Sequence, residues 1–196
     1  VVDVDLTEAI RVSSDPLWDN LDQNTQVGLL VIDLRSRARL RVNGRAEFQS
    51  SDQLRIHVEQ AYPNCPQYIQ RRNYRPAISS TETAGRPAST GTVLTDDQQS
   101  WITCADTFFV SSQHPDHGVD ANHRGGNPGF IQVLSPSRLR IPDYAGNGMF
   151  NTLGNFEVNP RAGLVIPDFE QGRTLQLTGR PEVVWDADDP ANETGG

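Results

Sequence analysis

The chain has 196 residues, with 17 cationic and 25 acidic side chains, a formal charge of −8 and an apolar fraction of 36%. That balance argues against a nucleic-acid partner, which needs a clustered basic face. Every cation is an arginine, so these residues offer no amine for a Schiff base or a Walker-type phosphate loop.

No apolar run approaches the roughly 20 residues that cross a bilayer, and no charged-then-apolar leader opens the chain. Cys65 and Cys104 stand far apart without a partner at metal-ligand spacing. The expectation is a soluble, cytoplasmic protein with two reduced thiols and no membrane partner. The chain opens on Val1 and its single methionine is Met149, so residues upstream of Val1 are expected. Sixteen glycines and 13 prolines fit a turn-rich fold better than a bundle of long helices.

In chain order, residues 27–34 and 39–48 read as two strands joined by a turn at 35–38. Leu54, Ile56 and Val58 then alternate with Arg55, His57 and Glu59 as a half-buried strand. A helix start is expected after Pro66, carrying Tyr68, Ile69, Arg71 and Arg72. Residues 76–94 are rich in Ser, Thr, Gly, Ala and Pro without apolar periodicity and read as a linker. Thr95 with Gln98 forms a capping box for a helix ending near Cys104. Strands at 107–111 and 119–123 follow, joined by a loop at 113–118. Asn147 caps a short helix whose Met149, Phe150, Leu153 and Phe156 share a face, and Asn159-Pro160 ends it. A second hairpin runs from 163–166 through a polar turn at 168–172 to 174–180, before Pro181 and an acidic tail at 186–196.

The two hairpins are copies. At an offset of 135, Gly28/Gly163, Leu29/Leu164, Asp33/Asp168, Leu40/Leu175, Gly44/Gly179, Arg45/Arg180 and Glu47/Glu182 are identical, seven of the 22 positions from 27 to 48. Average usage gives roughly one or two by chance, so a structural unit is duplicated. The expected organisation is an incomplete first unit at 1–75, a linker at 76–95 and a second unit at 96–196. The first unit has no counterpart of 107–129, and the second has none of the strand around Leu54 to Val58.

Three clusters are candidates for chemistry. In His123-Arg124-Gly125-Gly126-Asn127-Pro128-Gly129 the glycines allow close backbone approach to a ligand, and Arg124 offers a planar donor fork for an anion. In Asn147-Gly148-Met149-Phe150-Asn151-Thr152 a helix N-terminus with Asn and Thr donors suits a phosphate. The same stretch imitates a dinucleotide fingerprint, but its third glycine is Asn151 and the next strand turns straight back through 168–172, so the fingerprint fails. His114, His117 and His123 with Asp116 and Asp120 form the one ligand-like grouping. Its spacing matches no standard metal pattern, and a solvated hairpin tip is the plainer reading. Chain order alone supports no Ser-His-Asp constellation and no cysteine nucleophile, and Cys65 between prolines reads as a turn thiol.

Ala105-Asp106-Thr107-Phe108-Phe109-Val110, the stretch from His123 to Gly129, Pro142-Asp143-Tyr144-Ala145-Gly146-Asn147, Asn151-Thr152-Leu153-Gly154-Asn155 and Leu175-Gln176-Leu177-Thr178-Gly179-Arg180 together resemble the pyridoxamine 5′-phosphate oxidase-related, FMN-binding split-barrel proteins. The resemblance covers about residues 105–185 and is specific for family rather than for reaction. Asn64-Cys65-Pro66-Gln67-Tyr68-Ile69-Gln70-Arg71 resembles a stretch that follows a split-barrel strand in multi-part relatives.

The resemblance implies a mainly β, antiparallel Greek-key split barrel with small flanking helices, here partly duplicated, and FMN bound in a groove where two barrels meet. It further implies a homodimer or an intrachain pseudo-dimer. Asn151 and Thr152 fall where such proteins place phosphate contacts, and Thr174 where a strand polar group meets the flavin. Gly125, Gly126 and Gln132 would follow the ring edge, with His123 and Arg124 near the phosphate or an anionic substrate. Asp143 and Asn147 complete the cofactor set. Authentic pyridoxamine phosphate oxidases carry Arg and Lys at the positions of Asn151 and Thr152, and neutral donors roughly halve the strength of such phosphate bonds. That departure weakens the vitamin B6 reaction.

The resulting expectation is an FMN flavoprotein, an oxidoreductase moving hydride or electrons between the flavin and an unidentified small molecule, with a reductase or electron donor as a further partner. No catalytic base is identified. The rival is a non-catalytic flavin-binding or assembly module that has lost the reaction.

Overall fold

Aliphatic side chains recur at every second position in both copies of the repeated segment, and each copy folds as the β-hairpin that this period dictates. The computed structural model describes residues 2–5, 16–50, 53–73, 88–146 and 148–185. In the first unit β1 (Val2–Asp5) and α1 (Pro16–Gln23) precede β2 (Gln26–Asp33), β3 (Ala38–Phe48) and β4 (Gln53–Pro63). The sheet is antiparallel with order β1-β4-β3-β2. Three hairpin-linked strands with β1 returned beside β4 make this a Greek-key order.

The second unit opens with α2 (Asp96–Cys104), β5 (Thr107–His114), β6 (Gly118–Gly125), β7 (Gln132–Ser135) and β8 (Arg138–Arg140). It closes with α3 (Asn151–Val158), β9 (Ala162–Asp168) and β10 (Arg173–Gly179). Its main antiparallel sheet has the order β10-β9-β5-β6, and β7 pairs with β8 separately. The expected mainly β, antiparallel class with small helices holds; the sheets stay open and do not close into a barrel. Among the described residues no helix is long and apolar enough to cross a membrane.

The duplication is visible in three dimensions and is longer than the hairpin. Both ends of α1 and α3 differ by the same offset of 135 that relates the strands, so the repeated unit is a helix followed by a hairpin. Its turn is preserved in detail. Asp33 accepts from the Ser36 hydroxyl and the Arg35 N–H, and Asp168 accepts from the N–H groups of Gln171 and Glu170. These bonds hold both carboxyls below the usual carboxylate range, through Ser36 above all for Asp33 and through the Gln171 N–H for Asp168. Arg37 at φ 59° and Gly172 at φ 63° occupy the same turn position, so one copy bears a left-handed arginine where the other uses the residue suited to it.

Each unit has its own core. Ile102, Phe108, Val110, Phe130, Ile131, Ile166 and Leu175 pack together in the second, with the Phe108 and Phe130 rings stacked at 5.9 Å between centroids. Leu21, Ala46 and Leu54 form a smaller one in the first.

Several expectations need revision. Thr95 and Gln98 make the capping box as expected, but no helix follows Pro66. Residues 64–73 run as an irregular strap in which Tyr68 sits at φ 63°, a conformation that a helix cannot continue through. Asn147 lies outside the described residues; α3 starts instead after Phe150, which makes no side-chain cap bond. Met149 and Phe150 are exposed, and Thr152 is the residue that α3 buries. Residues 74–87 of the linker region and the acidic tail also lie outside the described residues, whereas the Leu94 N–H is bonded to Pro136 O at 2.7 Å.

Candidate functional site

The two units meet where β2 and β3 lie against β6, and the residues there are chosen for close contact. A Cβ on Gly28 would stand 2.9 Å from the backbone of Asp120 and of Ala121, so only glycine admits this approach. Arg41, 1% exposed, donates from Nε to Asp120 Oδ1 at 2.9 Å and is ion-paired with the same carboxylate, itself 4% exposed. The Tyr62 ring lies under the guanidinium at 5.1 Å. Burial raises the Tyr62 phenol above its usual value, an effect that Arg41 opposes.

Asp120 extends this network into the second unit. The Thr152 hydroxyl donates to Asp120 Oδ2 at 3.4 Å and accepts from Asn122 Nδ2 at 3.2 Å. Asn151 donates from Nδ2 to the Tyr62 hydroxyl at 3.1 Å. The junction where the resemblance puts a flavin slot is thus filled by side chains.

His123 is buried beside it. The Arg39 guanidinium lies 3.2 Å from His123 Nδ1 and 3.3 Å from its carbonyl oxygen. Arginine only donates, so Nδ1 is the acceptor and the neutral ring carries its proton on Nε2. Burial, then the charges of Arg39 and Arg72, push this imidazole down to about 4. Burial likewise lowers the Arg39 guanidinium below its ordinary value.

Gly125 and Gly126 serve packing. A Cβ on Gly125 would fall 2.0 Å from Tyr68 O, and one on Gly126 would meet the Phe130 ring at 2.7 Å. The strap is tied across them by Tyr68 OH to Ala145 O at 2.8 Å, Gln70 Nε2 to Gly126 O at 3.3 Å and the Arg72–Asp106 ion pair at 2.5 Å. Gly125→Ala is therefore expected to lift the strap at a cost of about 1–3 kcal/mol. Limited proteolysis should then cut within 64–73, and an unchanged digestion pattern would contradict this packing role.

Arg124, Gln132, Asp143, Thr152 and Thr174 all line one extended groove, but the strand register sets Arg124 on the same sheet face as Phe108, Ile166 and Leu175 and Thr174 on the opposite face, three strands away, so the structure does not bring these two together. Arg124 is ion-paired with Asp143 on its wall. Thr174 is on the exposed face of β10, while the neighbouring Leu175 turns into the core. Leu139, Leu164, Phe156 and Leu177 add apolar surface. The groove measures about 3440 Å³, several times the roughly 300–1,000 Å³ of a small-molecule pocket, so it is an open trough. His123, Gly125, Gly126 and Asn151 do not line it.

Against FMN, this donor set divides. On the Arg124 face the trough offers apolar surface for a flat ring, a polar group at Gln132 and a cation at Arg124, while Thr174 stands on the other face of the sheet. The start of α3 does not fit a phosphate, because the Thr152 hydroxyl and the Asn151 amide are already bonded within the protein and the carboxylate of Asp120 stands beside them. No family model matches the chain, and neither does any curated protein or solved structure.

The ligand-like histidines separate. His114 and His117 stack at the β5–β6 hairpin tip with centroids 4.4 Å apart, His123 is held by Arg39, and Asp120 by Arg41. Among the described residues no group of three or more His, Cys, Asp or Glu is placed to hold a metal. The sequence reading missed Arg39, Arg41 and Tyr62. For Arg39 and Arg41 the one visible signal was the run Arg39-Leu40-Arg41, two cations at strand spacing, and Tyr62 carried none.

Proposed function

We propose that the protein is an FMN-binding flavoprotein of split-barrel type, acting in the cytoplasm on a small molecule, with its flavin in the trough of the second unit. One observation carries this reading: Arg124 on β6 and Asp143 after β8, both named from the sequence, are ion-paired on the wall of a trough that Gln132 of β7 and the apolar side chains of Leu139, Phe156, Leu164 and Leu177 also line. Bound there, FMN supplies two-electron redox chemistry, and the chain's part is to bind and orient it. Arg124 is the anion-binding group in this reading: it exchanges its ion pair with Asp143 for the phosphate, whereas the donors at the start of α3 are held in the buried junction. With the intrachain junction filled, a partner copy facing the trough replaces the pseudo-dimer as the way to close the site.

Titration of the chain with FMN, followed by flavin fluorescence, tests the proposal. Wild-type protein is expected to quench the flavin, and Arg124→Ala to weaken binding by about 10- to 100-fold, the value of one charge-assisted bond. Asp143→Asn controls for loss of the ion pair and should retain binding. Absence of quenching by the wild type sinks the reading, and an unchanged affinity in Arg124→Ala removes that residue's role. Turnover with a nicotinamide electron donor separates an oxidoreductase from the second reading, a non-catalytic binding or assembly module. The internal commitment of Thr152 and Asn151 favours that second reading.

A further inference from the structure

Among the described residues β10 lies at the edge of its sheet, hydrogen-bonded to β9 on one side only. Its counterpart in the first unit, β3, is paired on both sides, to β2 and to β4. The internal repeat therefore shows what covers this edge when the unit is complete. Three of the identities between the copies, Gly44/Gly179, Arg45/Arg180 and Glu47/Glu182, are residues that in the first unit touch β4.

Gly44 sits at the bulge where β3 slips against β4, pairing with Val58 while Asn43 pairs with Gln60. A Cβ on Gly44 would fall 2.2 Å from His57 O, so β4 itself demands the glycine. At Gly179 a Cβ would meet nothing within 4 Å. Arg45 bonds Glu59 at 2.9 Å, and Glu47 bonds His57 at 2.8 Å, across the same pair of strands. In the second unit Arg180 is exposed and meets no partner among the described residues, and Glu182, 80% exposed, has only Arg138 at 4.0 Å. One departure between the copies is harmless to this edge. Ala46 gives its N–H to Thr25 O, on the β2 side, so Pro181 in its place removes no donor that a strand arriving on the other side would need.

We propose that the free edge of β10 receives an extended polypeptide strand with the pattern of β4, added antiparallel, bulged opposite Gly179, with an acidic side chain facing Arg180 and a basic one facing Glu182. Glycine, cation and anion are the features that β3 uses to receive its own third strand, and they stand ready on β10. Main-chain bonds supply the affinity of such strand addition, and alternate side chains supply the choice of partner. Residues 188–196, at the offset that corresponds to β4, read Asp-Asp-Pro-Ala-Asn-Glu-Thr-Gly-Gly and lack its apolar alternation, so the sequence pattern points to a strand from another polypeptide.

The probe is a labelled synthetic peptide of residues 53–63, titrated by fluorescence anisotropy against the full chain. The wild-type chain should bind it saturably. Gly179→Val places a side chain where the incoming backbone must lie, and should weaken binding about tenfold or more. Because that space is open in the protein alone, thermal stability should not change. Arg180→Glu should weaken binding similarly, and a peptide carrying Glu59→Arg should restore it. Absence of peptide binding overturns the proposal, as does equal binding by Gly179→Val. A dimer of the chain that Gly179→Val dissociates overturns it in favour of a second copy on the same edge.

Discussion

Asp120→Ala is expected to lower the free energy of unfolding by about 3–5 kcal/mol, the range for breaking a buried ion pair from one side. The size follows from what remains. Arg41 would keep its charge at 1% exposure, with the Tyr62 ring at 5.1 Å and no carboxylate. Thr152 would also lose an acceptor that now lies at 3.4 Å. Urea denaturation of the wild type and the variant measures the difference. Replacing both partners by apolar groups, Arg41→Met with Asp120→Leu, should recover most of the loss, since an ion pair removed whole leaves no stranded charge. A single variant costing under about 1 kcal/mol would mean that water reaches the pair and that it does not hold the two units together.

The same pair shows where sequence reading reached its limit. Strands, turns and the capped helix α2 were legible because they rest on local signals: a period of two, Asp33 and Asp168 opening turns, and Thr95 with Gln98. The repeat was legible for the same reason, and its offset extended to the ends of α1 and α3. The apolar face of β3 is buried at Val42 and Ala46 as period two expects, but the burial of its opposite face at Arg41 was not legible. Period two assigns Leu40 to the interior and Arg41 to water, yet Leu40 is 41% exposed and Arg41 is buried, because β6 of the other unit covers the arginine face. Nothing local announces a neighbour 79 residues away in the chain.

The glycines at 125 and 126 were misleading in a similar way. A glycine admits any close neighbour, and here the neighbours are Tyr68 O and the Phe130 ring. The strap that supplies the first of these was expected to be a helix. Ligand contact and chain contact ask the same thing of a glycine, so composition alone does not separate them.

His123 predicts a second large effect, with a definite sign. Its imidazole is pushed down to about 4 by burial and by Arg39, against about 6.5 when unfolded. Below the unfolded value the unfolded chain takes up a proton that the folded chain refuses. Stability therefore falls as pH drops through the window from about 6.5 to about 4, and this contribution levels off below it. The full window amounts to roughly 3 kcal/mol, at 1.36 kcal/mol for each pH unit of difference. Asp33, Glu47 and Asp168, also held below their ordinary values, lose their contributions further down, as pH falls from the ordinary carboxylate range through their lowered folded values. Chemical denaturation at pH 7 and at pH 5 thus isolates the histidine, especially beside His123→Gln, which keeps an acceptor for Arg39 and carries no titrating proton. The wild type should lose roughly 2 kcal/mol more than the variant between those two values. Equal losses would mean that the folded ring takes up its proton at pH 5 as readily as the unfolded one. Arg39 would then have to point elsewhere, since a doubly protonated imidazole offers a guanidinium no acceptor.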